Sequence, residues 1–151
     1  MSISVHGLCR FSYPSKEGSG FHNKNVESLY DSRRLTRRLG TFENIIIPSI
    51  SNQSDKNFKL GLLIGDDLPT WCRDRLLRAC RNTPQIELIV KRPGLPHRDA
   101  CSSAIQSLRN NHAGYVAEFR LDDDDGVSKD FIESIKRISS KIPDGAFGPI
   151  I

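Results

Sequence analysis

The chain has 151 residues, which is enough for one ordinary domain and does not require two. Apolar residues make up 37% of the chain and charged residues 26%, a balance that excludes a wholly disordered chain and argues against a membrane protein. The longest apolar stretch, Leu60–Ile64, is far shorter than the roughly 20 residues that cross a bilayer, so no transmembrane segment is expected. The net charge of +4 is too small to predict a nucleic-acid partner.

The predicted elements begin with a strand, because apolar residues alternate with other residues from Ile3 to Phe11. A turn-rich loop, residues 13–25, follows. From Asp31 the apolar residues recur every three or four positions, which predicts a helix. Asp31 or Ser32 is expected to cap this helix, and Pro48 is expected to kink or end it. Its predicted buried face consists of Leu35, Leu39, Phe42 and Ile46.

A second strand is predicted at Phe58–Ile64, where a short apolar run is typical of a buried parallel sheet. The next helix begins near Pro69, and Asp67 is a candidate cap for it. The predicted apolar stripe of this helix consists of Leu68, Trp71, Cys72, Leu76, Ala79 and Cys80. A third strand is predicted at Ile86–Val90, followed by a helix that opens at His97 or Asp99.

The fourth predicted strand, Tyr115–Leu121, runs directly into four aspartates. After Gly126 a last helix is predicted, with an apolar face of Phe131, Ile135, Ile138 and Ile142. Strands and helices therefore alternate along the whole chain. This order predicts an α/β fold with a Rossmann-like, mostly parallel sheet flanked by helices.

Cysteine and arginine usage indicates the compartment and the surface. The four cysteines form no Cys-x-x-Cys pair, so no zinc site is expected, and they stand singly within apolar patterns, which is typical of reduced core residues. We therefore expect a cytoplasmic protein. Two basic clusters are interpreted mainly as solvated faces, with peripheral contact to the inner membrane or to an anionic acceptor as the alternative. They consist of Arg33, Arg34, Arg37 and Arg38, and of Arg73, Arg75, Arg78 and Arg81.

Four carboxylates, Asp122–Asp125, stand at the end of the fourth strand, which is where parallel α/β sheets bind ligands. At about 4 Å each pair of charges costs about 1 kcal/mol in water and about 4 kcal/mol at an effective dielectric constant of 20. A cation is therefore expected to neutralise them, and oxygen-only ligands favour Mg²⁺ or Mn²⁺. Because side chains alternate along a strand, Asp122 pairs with Asp124, and Asp123 with Asp125, as candidate D-x-D ligands.

The four aspartates have three other interpretations. The first is a solvated acidic turn. The second is an EF-hand loop, which needs Gly at position 6 and Glu at position 12, and no frame through Asp122–Asp125 meets both conditions. The third is a phosphohydrolase motif, D-x-D-G-V, which residues 123–127 spell. That family normally carries the motif on its first strand and needs a lysine and further acids downstream.

Seven sequence blocks of this chain, taken in order, resemble the bacterial putative rhamnosyltransferase family over about residues 8–135. The blocks are Arg10–Tyr13, Leu29–Asp31 with Phe42–Glu43, Pro48–Ile50, Gln53–Asp55 with Phe58, Gly65–Pro69, His97–Ala100 and Phe119–Asp125. Their specificity comes from the shared order, since each block alone is a weak signal.

The resemblance implies the nucleotide-sugar-binding half of a GT-A glycosyltransferase fold, in which a D-x-D motif binds Mg²⁺ or Mn²⁺ across the diphosphate. It implies that Asp122 and Asp124 are the metal ligands, with Asp124 the direct ligand and Asp122 nearer the ribose. The residues that it implies for nucleotide-sugar binding are Arg10, Phe11, Asp66, Arg98, Asp122 and Asp123. No catalytic residue follows from it.

The expected function is metal-dependent transfer of a sugar from a nucleotide-sugar donor to a glycan, a lipid-linked acceptor or another hydroxyl acceptor. Relatives of this kind continue beyond the helix that follows the D-x-D motif, into a half that binds the acceptor. Here an apolar end at Pro149–Ile151 resembles the beginning of a strand. We therefore expect residues 1–151 to form a single donor-binding domain without the acceptor half. A truncated, non-catalytic nucleotide-sugar-binding remnant is the alternative.

Overall fold

The computed structural model describes residues 3–15, 26–109, 114–143 and 146. Most of the predicted loop 13–25 and the predicted strand start at Pro149–Ile151 lie outside the described residues. The strands are β1 (Ile3–Arg10), β2 (Lys59–Gly65), β3 (Ile86–Lys91) and β4 (Tyr115–Asp122). The helices are α1 (Val26–Leu29), α2 (Ser32–Thr41), α3 (Ile47–Ser51), α4 (Thr70–Cys80), α5 (His97–Arg109) and α6 (Phe131–Ser139), with a π-helical turn, Phe42–Ile46, between α2 and α3.

The four strands form one parallel sheet in the order β3-β2-β1-β4. The α/β, Rossmann-like prediction is therefore confirmed. The chain moves outward from β1 through β2 to β3 and then crosses to the other side of β1, where β4 pairs with it along its whole length. The strand order thus reverses between β1 and β4, and in parallel α/β sheets the crevice at this reversal is where ligands bind.

Each face of the sheet is covered by a separate apolar layer. On one face α2, α3, α4 and α6 pack on side chains that include Val5 and Cys9 of β1 and Leu62 of β2. On the other face α5 is the only one of the described helices to contribute, and its Ala100 and Ala104 join Tyr13 in the cluster that contains Leu8 of β1 and Leu63 of β2. Because both faces of β2 are covered, this strand is almost continuously apolar, as the sequence pattern predicts. The alternating strand β1 is likewise buried along most of its length.

At Pro48, which was predicted to kink or end the helix, the segment from Ser32 to Ser51 changes from an α-helix through a π-helical turn to a last short helix. The proline does not end the helix, since α3 continues to Ser51 with Pro48 in its first turn. The π-helical turn immediately before it explains this result. Proline lacks the N–H of a regular helix, and its ring clashes with the carbonyl one turn earlier, so a widened turn at that point lets the helix continue.

Two residues predicted to lie on buried helix faces are exposed. Trp71 is 43% exposed because α4 turns Cys72 and Leu76 toward the core, and one residue of offset rotates a side chain by about 100°. Ile138 is 63% exposed because α6 is buried mainly through Ile132. Within the part of the chain that the structure describes, no helix is long and apolar enough to cross a membrane.

Candidate functional site

The candidate site lies at the carboxyl ends of β1 and β4, where the strand order reverses. Arg10 ends β1 and Asp122 ends β4, and the two residues are direct partners in the parallel register. Paired positions on neighbouring strands lie about 4.8 Å apart across the sheet, so a cation and a carboxylate of the predicted set are adjacent at this edge. The Asp122 side chain is exposed, whereas Arg10 is partly buried.

The four aspartates leave the strand in a tight turn. The Asp125 N–H donates to the Asp122 carbonyl at 3.1 Å, which closes the turn over Asp123 and Asp124. The turn divides the cluster unequally, because Asp123 is only 1% exposed while its three neighbours are exposed. The strict alternation assumed for an extended strand therefore ends at Asp122.

Arg38 of α2 holds the buried carboxylate. It binds Asp123 through two nitrogens, Nη2 to Oδ1 and Nε to Oδ2, the latter at 3.2 Å. Its Nη1 also donates to Asp124 Oδ2 at 2.9 Å. Burial raises the pKa of Asp123 to about 6, the neighbouring Asp124 adds to that rise, and Arg38 opposes it. Part of the neutralisation that the sequence assigns to a metal is therefore supplied by this guanidinium.

Arg34, one turn earlier on α2, fixes the loop that follows β1. Its Nη1 donates to Ser12 Oγ at 2.9 Å and to the Leu29 carbonyl at 2.8 Å. Ser12 has a φ of 46°, in the left-handed region that costs a non-glycine residue roughly 1–3 kcal/mol. Arg34 thus stabilises a strained residue beside the site.

The interpretation of the first basic cluster as a solvated face is wrong for Arg34 and Arg38, both of which are partly buried. The sequence carries a signal for this partial burial, which is the position of the two arginines along the helix. They are four residues apart, and each directly precedes a residue of the buried stripe, Leu35 or Leu39. Arg33 and Arg37 lie one position further from that stripe and are exposed.

In the second basic cluster, Arg75 binds Glu43 through Nε at 2.7 Å and Nη2 at 2.8 Å, which lowers the pKa of Glu43.

The end of β2 contributes a second acidic pair to the same edge of the sheet. Asp66 is exposed, and its backbone N–H is anchored to the Lys91 carbonyl at 2.9 Å. Asp67 does not cap α4, because Pro69 occupies the N-cap position and no side chain bonds there. Asp67 Oδ1 instead accepts a hydrogen bond from the Tyr30 hydroxyl at 2.6 Å, which together with burial raises the pKa of Tyr30.

The first turn of α5 brings His97 to Arg10. Arg10 Nη1 lies 3.0 Å from His97 Nδ1, although the two residues are 87 positions apart in the chain. Burial, followed by the charges of Arg10 and Arg120, lowers the pKa of His97. The predicted ligand residue Arg98 is exposed on the same turn. Sequence reasoning missed the role of His97, since nothing local to residue 97 indicates a partner on β1.

Two of the predicted ligand residues are turned away from this edge. Phe11 is fully buried and packs edge-on against Phe42, with ring centroids 5.9 Å apart, so it presents no surface to a ligand. Asp123 is buried in its contact with Arg38. Both therefore contribute to the structure beneath the site, whereas Arg10, Asp66, Arg98, Asp122 and Asp124 lie on or near its surface.

The described residues offer two carboxylates to a divalent ion and not a complete set of protein ligands. Across residues 3–15, 26–109, 114–143 and 146, no group of three or more His, Cys, Asp or Glu side chains converges in a way that could hold a metal. Two exposed carboxylates are nevertheless available, because the Asp122 carboxylate has no hydrogen bond or ion pair among these residues and Asp124 bonds Arg38 through one oxygen. Mg²⁺ commonly uses one or two carboxylates together with phosphate oxygens and waters.

The phosphohydrolase interpretation finds no support in this geometry. It requires Asp123 and Asp125 to act as a pair, but Asp123 is buried against Arg38 while Asp125 is exposed.

A surface cavity of about 410 Å³ is also present, lined by Glu43, Ile47, Arg75, Arg78 and Ala79. None of these lining residues belongs to the candidate site.

Comparison with known proteins adds one match. A family model described as "Putative rhamnosyl transferase" matches residues 4–144, which include every residue of the candidate site. No curated protein and no solved structure matches the chain.

Proposed function

Because the chain belongs to the putative rhamnosyl transferase family, and is at that coarse level a glycosyltransferase, we propose that it binds a nucleotide-sugar donor where β1 and β4 end. The observation that carries this proposal is the pairing of Arg10 with Asp122 at the reversal of the strand order. This position offers both charges that a metal-chelated diphosphate needs, a guanidinium for phosphate oxygens and a carboxylate for the ion.

In this proposal Asp122 and Asp124 hold Mg²⁺ or Mn²⁺ as the D-x-D pair. The bound ion would offset the negative charge on the departing nucleoside diphosphate. In the proposed site the two ligands are held by the turn between them, which is closed by the Asp125–Asp122 backbone hydrogen bond and supported by the contact of Arg38 with Asp123. Asp123 is thus assigned to support of the turn and not to contact with the donor.

The remaining assignments follow from exposure and charge. Arg10 and Arg98 would bind phosphate oxygens, since a planar guanidinium recognises phosphate through two parallel hydrogen bonds. Asp66 lies exposed at the end of the neighbouring strand β2, where its carboxylate can accept hydrogen bonds from N–H donors of the base. A glycosyltransferase also acts on an acceptor, and a glycan or lipid-linked hydroxyl is the proposed class.

Binding of the donor is tested by calorimetry with UDP, dTDP, GDP and CDP, each with and without Mn²⁺. We expect at least one of them to bind more tightly with Mn²⁺. Asp124→Asn should lower that Mn²⁺-dependent affinity at least tenfold, because it removes a charged oxygen ligand while preserving size.

The matched control is Asp125→Asn, an exposed neighbour in the same turn that is given no ligand role. This control should bind like the wild type. Unchanged affinity in Asp124→Asn, or equal losses in the two variants, would refute the metal assignment.

Transfer is tested separately by release of the nucleoside diphosphate from the matching rhamnose donor in the presence of hydroxyl acceptors. Release above the rate without protein supports the transferase proposal. Tight binding of the diphosphate without release would favour the non-catalytic donor-binding alternative.

A further inference from the structure

His97 connects α5 to β1 inside the candidate site. Its Nδ1 lies 3.0 Å from Arg10 Nη1, and both residues are partly buried. The guanidinium can only donate, so the imidazole nitrogen facing it must be the acceptor. The contact therefore fixes the neutral tautomer of His97 that carries its proton on Nε2.

The position of His97 is set by the packing of its helix. Ala100 and Ala104, one and two turns further along α5, are fully buried against the sheet layer that contains Leu8 and Leu63. The Cys101 sulfur also lies 3.9 Å from both nitrogens of the ring. Small residues on a helix permit close approach to the sheet, so the ring is supported from its own helix while it reaches β1.

Two arginines, Arg10 and Arg120, lie near the exposed carboxylate of Asp122 at this contact. Arg10 is the register partner of Asp122, and Arg120 lies two residues before Asp122 on β4, on the same face of the strand. Arg10, Arg120 and Asp122 all act electrostatically on His97, and Cys101 contacts it from its own helix. An anion placed at this edge would meet two guanidinium groups on one side of the aspartate.

We propose that His97 is a positioning residue that holds the Arg10 guanidinium in place to bind the phosphate groups of the donor. The inference rests on the function proposed above and adds to it that His97 acts through Arg10. A neutral acceptor suits this task better than a carboxylate. It orients the guanidinium through a hydrogen bond and adds no negative charge, whereas an acid would form an ion pair and offset the positive charge that attracts the ligand.

Three variants distinguish positioning from general support of the fold. His97→Leu removes the acceptor and preserves approximate volume. His97→Asn can present an amide oxygen near the position of Nδ1 and should restore the hydrogen bond. Gln106→Leu removes a polar side chain at an exposed position of the same helix and serves as the control. Each variant is measured for thermal stability and for affinity toward inorganic pyrophosphate and the four nucleoside diphosphates.

We expect His97→Leu to lose about tenfold in affinity for pyrophosphate and for the tightest nucleoside diphosphate, the scale of one hydrogen bond to a charged group. His97→Asn should recover most of this loss, and Gln106→Leu should bind like the wild type. Wild-type affinity in His97→Leu would overturn the inference, as would equal losses in the Leu and Asn variants at equal melting temperatures.

An NMR measurement on the wild type tests the contact without any ligand or activity. Titration of the imidazole signals should show His97 with a pKa below its ordinary value, and Arg10→Met should raise that pKa because it removes an adjacent positive charge. No change in Arg10→Met would overturn the inference. If none of the anions binds the wild type, the proposed function fails, while the titration still decides whether His97 holds Arg10.

Discussion

At the scale of the residue, the absence of a side chain at Gly65, at the end of β2, leaves room for the hydrogen bond between Tyr30 and Asp67. A Cβ at Gly65 would lie 2.5 Å from Asp67 Oδ1 and 2.7 Å from the Tyr30 hydroxyl oxygen. These two atoms form the hydrogen bond that ties the segment before α2 to the turn after β2. A side chain at position 65 would therefore displace the ends of these two side chains.

The substitution Gly65→Ala should separate Tyr30 from Asp67 and lower the free energy of unfolding by about 1 kcal/mol, the contribution of one hydrogen bond, because the displaced atoms are the ends of side chains that can move. Urea denaturation at neutral pH measures this loss. Gly40→Ala is the matched control, because nothing lies within 4 Å of a Cβ at that helical position. The control should be stabilised by about 0.5–1 kcal/mol through helix propensity. A Gly65→Ala protein as stable as the wild type would show that the contact is not tight.

At the scale of the element, α2 delivers both arginines that organise the site. The helix begins after Asp31, whose side chain accepts a hydrogen bond from the Arg34 N–H at 2.9 Å and so caps the first turn, as the sequence predicts. Arg34, whose backbone N–H is capped, also binds Ser12 through its side chain. Arg38, one turn later in the helix, binds Asp123. The cap therefore fixes where the helix begins, and with it the positions of Arg34 and Arg38 along the helix.

Loss of this cap should weaken the protein modestly. Asp31→Ala removes the acceptor and is expected to lower the free energy of unfolding by about 1 kcal/mol. Asp31→Asn keeps a capping oxygen and should lie within a few tenths of a kcal/mol of the wild type. Urea denaturation of the three proteins side by side measures the difference. If Ala and Asn are equally destabilising, the charge of Asp31 and not its capping bond is responsible.

At the scale of the whole molecule, the buried Asp123 links global stability to pH. Its pKa is about 6 in the folded protein against an ordinary value of 3.8, chiefly because of burial. The folded chain therefore holds more protons than the unfolded chain between about pH 4 and pH 6, and this group makes the protein more stable as the pH falls through that window. Above pH 6 the cost of ionising the carboxyl is complete, at about 3 kcal/mol.

Comparison of the wild type with Asp123→Asn isolates this effect, because the other titrating groups are common to both proteins. We expect the wild type to gain stability relative to the variant as the pH falls from 7 to 4.5. Urea denaturation across this range gives the difference at each pH. A difference that stays constant with pH would show that Asp123 keeps an ordinary pKa, with Arg38 fully compensating its burial.

Sequence patterns predicted the fold well because the signals are local. Continuous apolar runs mark the buried strands, spacings of three and four mark the helices, and their alternation leaves a parallel sheet as the consistent arrangement. The acidic turn was predicted at the correct edge for the same reason, since Asp122 directly follows β4. The π-helical turn before Pro48 was not predicted, because such a turn has no sequence signature of this kind.

The amino-acid sequence by itself determined which elements form, the edge of the sheet to which they bring charged residues, and the family to which the chain belongs. Only the tertiary structure decided which charges are shared within the protein and which face outward. Arg38 with Asp123, and His97 with Arg10, are 85 and 87 residues apart in the chain. Their pairing depends on the order of the strands and the depth of two helices on the sheet. Those are properties of packing, which short-range periodicity does not record.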